Sequence, residues 1–272
     1  MNVLICLCLS GVVTLGVAAG AVAQQSAAPQ DQRALVQLFG CSLQEGSSMD
    51  DIWNVVESWR GAVEQMELPQ DPQFGAFLWT AFRTASPYDL IWGVVSSDLP
   101  SLGRAFSVYY GSEAGPNVEQ EFLSHVDCES AIVFSEQVSQ GRMGTVVDRQ
   151  PDALVDTFVC RLNDNATQQD LRDAVAFWQQ QVSAIGSDAL DQYEAFLLTP
   201  YRGGSGDWDF AWVGNYPDYP TWGQGESDYY GSEQGQQAEQ RFLEISRCES
   251  GLWNGYWALV PETVSQAQSA AQ

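Results

Sequence analysis

The sequence predicts an α+β protein made of two tandem β-α-β-β-α-β units that close on each other as a pseudo-dimeric α+β barrel within one chain. Three observations carry this. The chain repeats itself: Cys41–Thr80 aligns without gaps on Cys160–Thr199, and Asp89–Ser130 aligns on Asp209–Ser250 after a one-residue insertion. A repeat of about 120 residues is too long for a solenoid unit, so each copy is domain-sized. The hydrophobic period also switches between strand and helix values in the same order in both copies. Finally, the second strand of the first copy, Phe74–Phe82, is apolar on both alternating faces, which calls for cover on both sides.

The elements follow in order. Ala34–Phe39 and Leu154–Val159 are apolar runs leading into Cys41 and Cys160, and read as first strands. Ser47-Ser48 before Asp50-Asp51, and Thr167 before Asp170, are helix starts: hydroxyls cap the first amides and acids suit the positive helix end. Ile52, Val55, Val56, Trp59 and Val63 then line one helical face, as do Leu171, Ala174, Val175, Trp178 and Val182. Pro69 and Pro72 end the first helix region, and Gly186-Ser187-Asp188 the second. Second strands follow at Phe74–Trp79 and Tyr193–Leu198. Turns come next at Ser86-Pro87 and at Gly203-Gly204-Ser205-Gly206, then third strands at Leu90–Val95 and Phe210–Val213. After Pro100 and Pro220 the chain reads as helical in two pieces, broken at Gly111-Ser112, where Gly suits a helix end and Ser a new start. The last strands are Ala131–Val138 and Leu252–Val260. Each copy therefore has the ferredoxin-like split arrangement. The predicted divisions are a leader (1–23), repeat 1 (33–138), a linker (139–150), repeat 2 (151–260) and a tail (261–272).

Residues 1–23 carry no charged side chain and end in Ala21-Val22-Ala23, a small-residue exit that reads as a secretory signal peptide. An uncleaved anchor helix is the alternative. Beyond the leader stand 35 acids against 11 Arg, with no Lys. Such a polyanion repels phosphate backbones and anionic lipid, so neither nucleic acid nor a membrane surface is an expected partner. The acids are scattered and form no calcium-loop pattern, and no metal site is read. Outside the leader each repeat owns two cysteines at equivalent places. Duplicated units should close the same bridge, which selects Cys41–Cys128 and Cys160–Cys248 among the three connectivities. Each would close a loop of about ninety residues, worth roughly 4 kcal/mol. In the split arrangement the first and last strands are antiparallel neighbours, which brings these cysteines together. Zinc, the competing use of four cysteines, lacks C-x-x-C spacing, and in the periplasmic or secreted location that the leader implies bridges are the default.

The element order and the duplication resemble the dimeric α/β-barrel superfamily. That superfamily includes antibiotic-biosynthesis-type monooxygenases, stress-responsive barrel proteins and the two-repeat heme enzymes of the chlorite dismutase kind. The Cys41…Trp59…Trp92…Cys128 pattern is also similar to that of uncharacterised secreted bacterial proteins. The resemblance implies a shaped pocket, with cofactor-independent oxygenase or isomerase chemistry as one outcome. In heme members a helix histidine holds iron. His125, the one histidine, falls in a helix, but its counterpart is Ile245, which suits a packed position. No cofactor is expected.

The candidate ligand residues are those the repeat echoes. Trp92 and Trp212, on the third strands, either pack under the helices or line a pocket between the two sheets. Tyr110 with Glu113, and Tyr230 with Glu233, belong to the strongest local echo, Tyr-Tyr-Gly-Ser-Glu. They read either as a helix corner or as a hydrogen-bonding pair with an acid or base. Glu119 and Glu239 suit a solvated helix face. The second copy is richer in aromatics: Trp208, Tyr216, Tyr219, Trp222, Trp253, Tyr256 and Trp257 stand against Tyr88, Ser96, Leu99, Leu102, Val133, Glu136 and Gln137. That excess makes either a bulkier core or a site for a flat apolar ligand. The expected function is binding of a small, partly apolar or aromatic molecule between the sheets by a monomer. The enzyme reading and a purely structural or interaction role stand as alternatives.

Overall fold

The computed structural model describes residues 33–68, 71–141, 153–204 and 207–263. The predicted leader, most of the linker, Pro69, Ser205-Gly206 and most of the tail lie outside them. The elements are β1 (Arg33–Leu43), α1 (Met49–Glu64), β2 (Gly75–Thr84), β3 (Leu90–Ser96), α2 (Leu99–Gly111), α3 (Ala114–His125) and β4 (Val126–Ser139). There follow β5 (Ala153–Leu162), α4 (Gln168–Ile185), a short 3-10 turn (Leu190–Gln192), β6 (Glu194–Gly203), β7 (Phe210–Tyr216), α5 (Tyr219–Gly231), α6 (Glu233–Ile245) and β8 (Ser246–Leu259).

Local chemistry accounts for the helices. Ser48 and Thr167 each close a capping box, with Asp51 and Asp170 three residues on, an arrangement that satisfies two otherwise free amides at once. Asp98 and Asp218 cap α2 and α5 ahead of the prolines that open them. The echo Tyr-Tyr-Gly-Ser-Glu is a helix–helix corner. Ser112 Oγ donates to the Tyr109 carbonyl at 2.7 Å and accepts from the Gly115 amide at 2.9 Å, and Ser232 repeats both bonds to Tyr229 and Gly235. A Cβ on Gly115 would stand 2.2 Å from the Tyr109 carbonyl oxygen, and on Gly235 1.9 Å from that of Tyr229, so the corner is too tight for any other residue.

The eight strands form one closed barrel in the order β1-β3-β2-β8-β5-β7-β6-β4. Each half of the chain supplies four consecutive strands of it, in the same internal order. The two sheets do not simply face each other, as the two-sided apolar character of β2 suggested. They join along their edges, β2 with β8 and β4 with β6. A four-stranded sheet has two unpaired edges, and mutual pairing satisfies all four without a further element. β2 is covered on both sides because Ala76 and Leu78 pack beneath the helices while Phe77 packs inside the barrel. Helices stitch the closure: Arg60 of α1 donates to the Ala258 and Trp257 carbonyls of β8, and Gln179 of α4 donates to the Val138 carbonyl of β4.

β4 and β8 start earlier than their apolar runs. Both strands pair with β1 and β5 down to Leu43↔Val126 and Leu162↔Ser246. Exposed polar residues such as Asp127 and Glu249 break the apolar alternation there and hide this in the sequence. The extension places Cys41 directly opposite Cys128, and Cys160 opposite Cys248. Disulfides join both pairs.

Candidate functional site

The space between the sheets is a packed core. Val36, Phe77, Val133, Val155, Val213, Trp253 and Trp257 fill it, so the pocket expected there is replaced by side chains. A second apolar layer lies under α4 and α6, and a third under α1 and α3. Trp92 and Trp212 face these helix layers, not the barrel interior. Trp92 meets Trp59 edge-on at 5.1 Å, and Trp212 meets Trp178 at 4.7 Å.

A cavity of about 110 Å³ opens in the helix layer of the first half, lined by groups from β1, β3 and all three helices. Phe39 and Trp92 on the strands, Trp59 on α1, Ala105 and Phe106 on α2 and Phe122 on α3 make its walls almost wholly apolar. Its mouth lies by Tyr110 and Leu123, each about half exposed. There the Tyr110 hydroxyl donates to Glu119 Oε1 at 3.0 Å. Partial burial and the neighbouring Glu119 charge raise the Tyr110 phenol to about 12, so it stays a donor at any ordinary pH. Gln37 and Tyr109 supply the remaining polar side chains of the lining.

Of the residues singled out in the sequence, Trp92 and Tyr110 stand in this lining and Glu113 does not. The tight corner puts Glu113 at the start of α3, with no side-chain cap bond. Glu119, further along α3, comes back against Tyr110. Glu119 is therefore not simply on a solvated face, and Glu239 is partly buried, with its carboxyl raised by desolvation. Glu233 accepts from Gln237 on its own helix, and Tyr230 is a partly exposed residue of α5. His125 closes α3, its Nδ1 3.2 Å from Ser47 Oγ, outside the lining. The lining holds no imidazole and no thiolate, and burial raises both of its phenols, Tyr109 and Tyr110, away from the phenolate that iron would need, so these residues do not fit a heme.

The same layer of the second half holds a buried polar network that sequence reading missed. Asp156 replaces Gln37 on the first strand, facing Gly214 as Gln37 faces Val94. The Tyr193 hydroxyl lies 3.2 Å from Asp156 Oδ1 and accepts from Trp212 Nε1 at 2.8 Å. Tyr216 donates to Glu226 Oε1 at 3.3 Å. Burial, then the charge of Glu226, lifts Asp156 to about 7 against the Tyr193 hydrogen bond. A Cβ on Gly214 would stand 1.9 Å from the Tyr193 hydroxyl, so the glycine is what admits the network. The usable signal in the sequence was the contrast between copies, Phe74 against Tyr193 and Ser96 against Tyr216. The aromatic excess of the second half divides among this layer (Tyr216, Trp222), the barrel interior (Trp208, Trp253, Trp257), the helix layer of the first half (Tyr256, 4.8 Å from Trp53) and the surface (Tyr219). One more buried acid, Glu194, alternates with Tyr193 and Ala195 and so lies on the barrel-interior face. Gln137 donates to its Oε1 at 2.5 Å, while its Oε2 has no partner.

No family model matches the sequence, and no curated protein matches it. Solved structures do share the fold. A proposed monooxygenase from Lactobacillus acidophilus superposes with a TM-score of 0.54 at 4% identity, over 85% of this chain and 97% of that one. A proposed monooxygenase from Fusobacterium nucleatum gives 0.53 at 7% identity, over 82% and 92%. A proposed chlorite dismutase gives 0.50 at 12% identity, over 87% and 99%. The chain thus has the fold of the dimeric α/β-barrel superfamily, with the barrel of eight strands closed within one polypeptide.

Proposed function

We propose that this protein binds a small, flat, largely apolar molecule in the helix–sheet cavity of its first half. The observation that carries the reading is the cavity itself: about 110 Å³, walled by Trp59, Trp92, Phe106 and Phe122, with a Tyr110–Glu119 pair at the mouth. An engineered apolar cavity of about 150 Å³ takes up benzene, so a single ring that protrudes at the open mouth is the right scale. The second half contributes a bulkier, filled layer.

A second reading, a cofactor-independent oxygenase- or isomerase-like enzyme, draws on the fold shared with two proposed monooxygenases. In it the aromatic walls exclude water and orient a ring, and Glu119 takes or returns a proton at a substrate atom placed at the mouth. Tyr110 donates to that carboxylate and orients it. The equivalent helix capping and strand order of the halves support an origin as a tandem duplication of one ferredoxin-like unit. The apolar leader and the two disulfides support a secreted or periplasmic protein. Mutual pairing of the sheet edges within the chain supports a monomer.

The test is thermal. Single-ring aromatics added to the full chain are expected to raise its melting temperature in a concentration-dependent way. Val118→Phe, which puts a ring into the cavity, is expected to remove the shift. A panel that moves nothing, or a shift that survives in Val118→Phe, rules the cavity out as the site. Oxygen uptake with phenols or quinols, lost in Glu119→Gln, is the corresponding measurement for the enzyme reading.

A further inference from the structure

The second half carries its own occupant for the space that is open in the first. Tyr216 is buried to 2% exposure, and its ring lies among Tyr193, Gly225 and Glu226. It packs 4.5 Å from Tyr193 between ring centroids, and a Cβ on Gly225 would stand 2.7 Å from its Cε1. Every one of these neighbours has a counterpart that lines the cavity. α2 and α5 are both 13 residues long, each capped by an aspartate and opened by proline, which sets Ala105 against Gly225 and Phe106 against Glu226. The second strands set Phe74 against Tyr193. The place of Tyr216 itself is held by Ser96, a side chain with no ring, turned away to Asp71 Oδ2 at 2.7 Å.

We infer that the first-half cavity is selective for a single-ring phenol, the chemical group that the chain itself inserts at the same place in its second half. This rests on the cavity being the binding site. The hydroxyl needs an acceptor. In the second half Tyr216 uses Glu226, and the Glu239 charge bears on that same carboxyl. In the first half Phe106 has removed the former, while Glu119, the counterpart of Glu239, lines the cavity. Glu119 is therefore the acceptor for the ligand's hydroxyl. A phenol that donates to a carboxylate beside apolar walls gains over the same ring without the hydroxyl, whereas an aliphatic alcohol loses the flat contact with Trp59 and Trp92.

Calorimetric titration of the full chain with p-cresol, toluene and cyclohexanol tests this. The expected result is p-cresol tighter than either of the others by about tenfold or more, the scale of one hydrogen bond to a charged acceptor. Glu119→Gln should collapse the ratio of p-cresol to toluene affinity toward one. Equal affinities in the parent protein overturn the phenol assignment while leaving the cavity reading intact. A ratio that persists in Glu119→Gln overturns the role of Glu119. Binding of none of the three removes the cavity reading, and this inference with it.

Discussion

Among the described residues, Asp156 and Glu194 are the two buried carboxyls. Burial lifts both to about 7, in Asp156 with help from Glu226. Their reference values are 3.8 and 4.5. Between those values and about 7 the folded chain holds protons that the unfolded chain has released, so this contribution to stability is full in acid and is lost as pH rises through about 7. Asp51, Asp71, Asp98 and Asp170 act in the opposite sense. Hydrogen bonds from caps and turns lower them, so their contribution is present above the reference value and lost as pH falls. The melting temperature is therefore expected to fall between pH 5 and pH 8. Asp156→Asn should flatten that slope, by up to about 1.4 kcal/mol per pH unit for one group. A slope identical in Asp156→Asn and parent would show that Asp156 is ionised throughout. The charge of Asp156 argues against burial, and its position argues for it. It stands in an apolar run where its alternation puts it under the helices, and there the Tyr193 hydroxyl and the Gly214 backbone supply hydrogen bonds to it.

At the scale of single elements, much was legible. Helix starts were written in hydroxyl–acid pairs, and the helix break in Gly-Ser, because caps and corners are decided by a few adjacent atoms. The starts of β4 and β8 were not, because those segments are held in the strand by pairing with β1 and β5 rather than by their own apolar alternation. The bridges lie in these extended ends, each spanning a long stretch of chain (separations 87 and 88). Replacing Cys41 and Cys128 together by Ser should cost roughly 4 kcal/mol in denaturant unfolding, mainly by releasing the unfolded chain. A loss below about 1 kcal/mol would mean that the β1–β4 ladder alone already holds the ends together.

The molecule as a whole is defined by closure. Neither four-stranded sheet has a free edge once β2 meets β8 and β4 meets β6, and Arg60 and Gln179 tie each half's first helix to the other half's last strand. The barrel interior is a single core to which all eight strands contribute. Unfolding of one half then exposes two strand edges and half of that core on the other. Far-ultraviolet circular dichroism and tryptophan fluorescence should follow one coincident transition. Two separated transitions would show halves that fold independently.

The order of elements, the pairing of the cysteines and the superfamily-like plan could all be read along the chain. They depend on neighbouring residues and on a residue pattern that recurs in both halves of the sequence. The location of the candidate site could not. Trp92 and Tyr110 were visible as candidates, but which side of the sheet they serve depends on how the edges join. Once the edges pair, the space between the sheets is small enough for Trp253 and Trp257 to fill, and the remaining room lies under the helices. Whether that room is open rests on side chains far apart in sequence, Ser96 in one layer and Tyr216 in the other, whose volumes count only after strand and helix have been brought together.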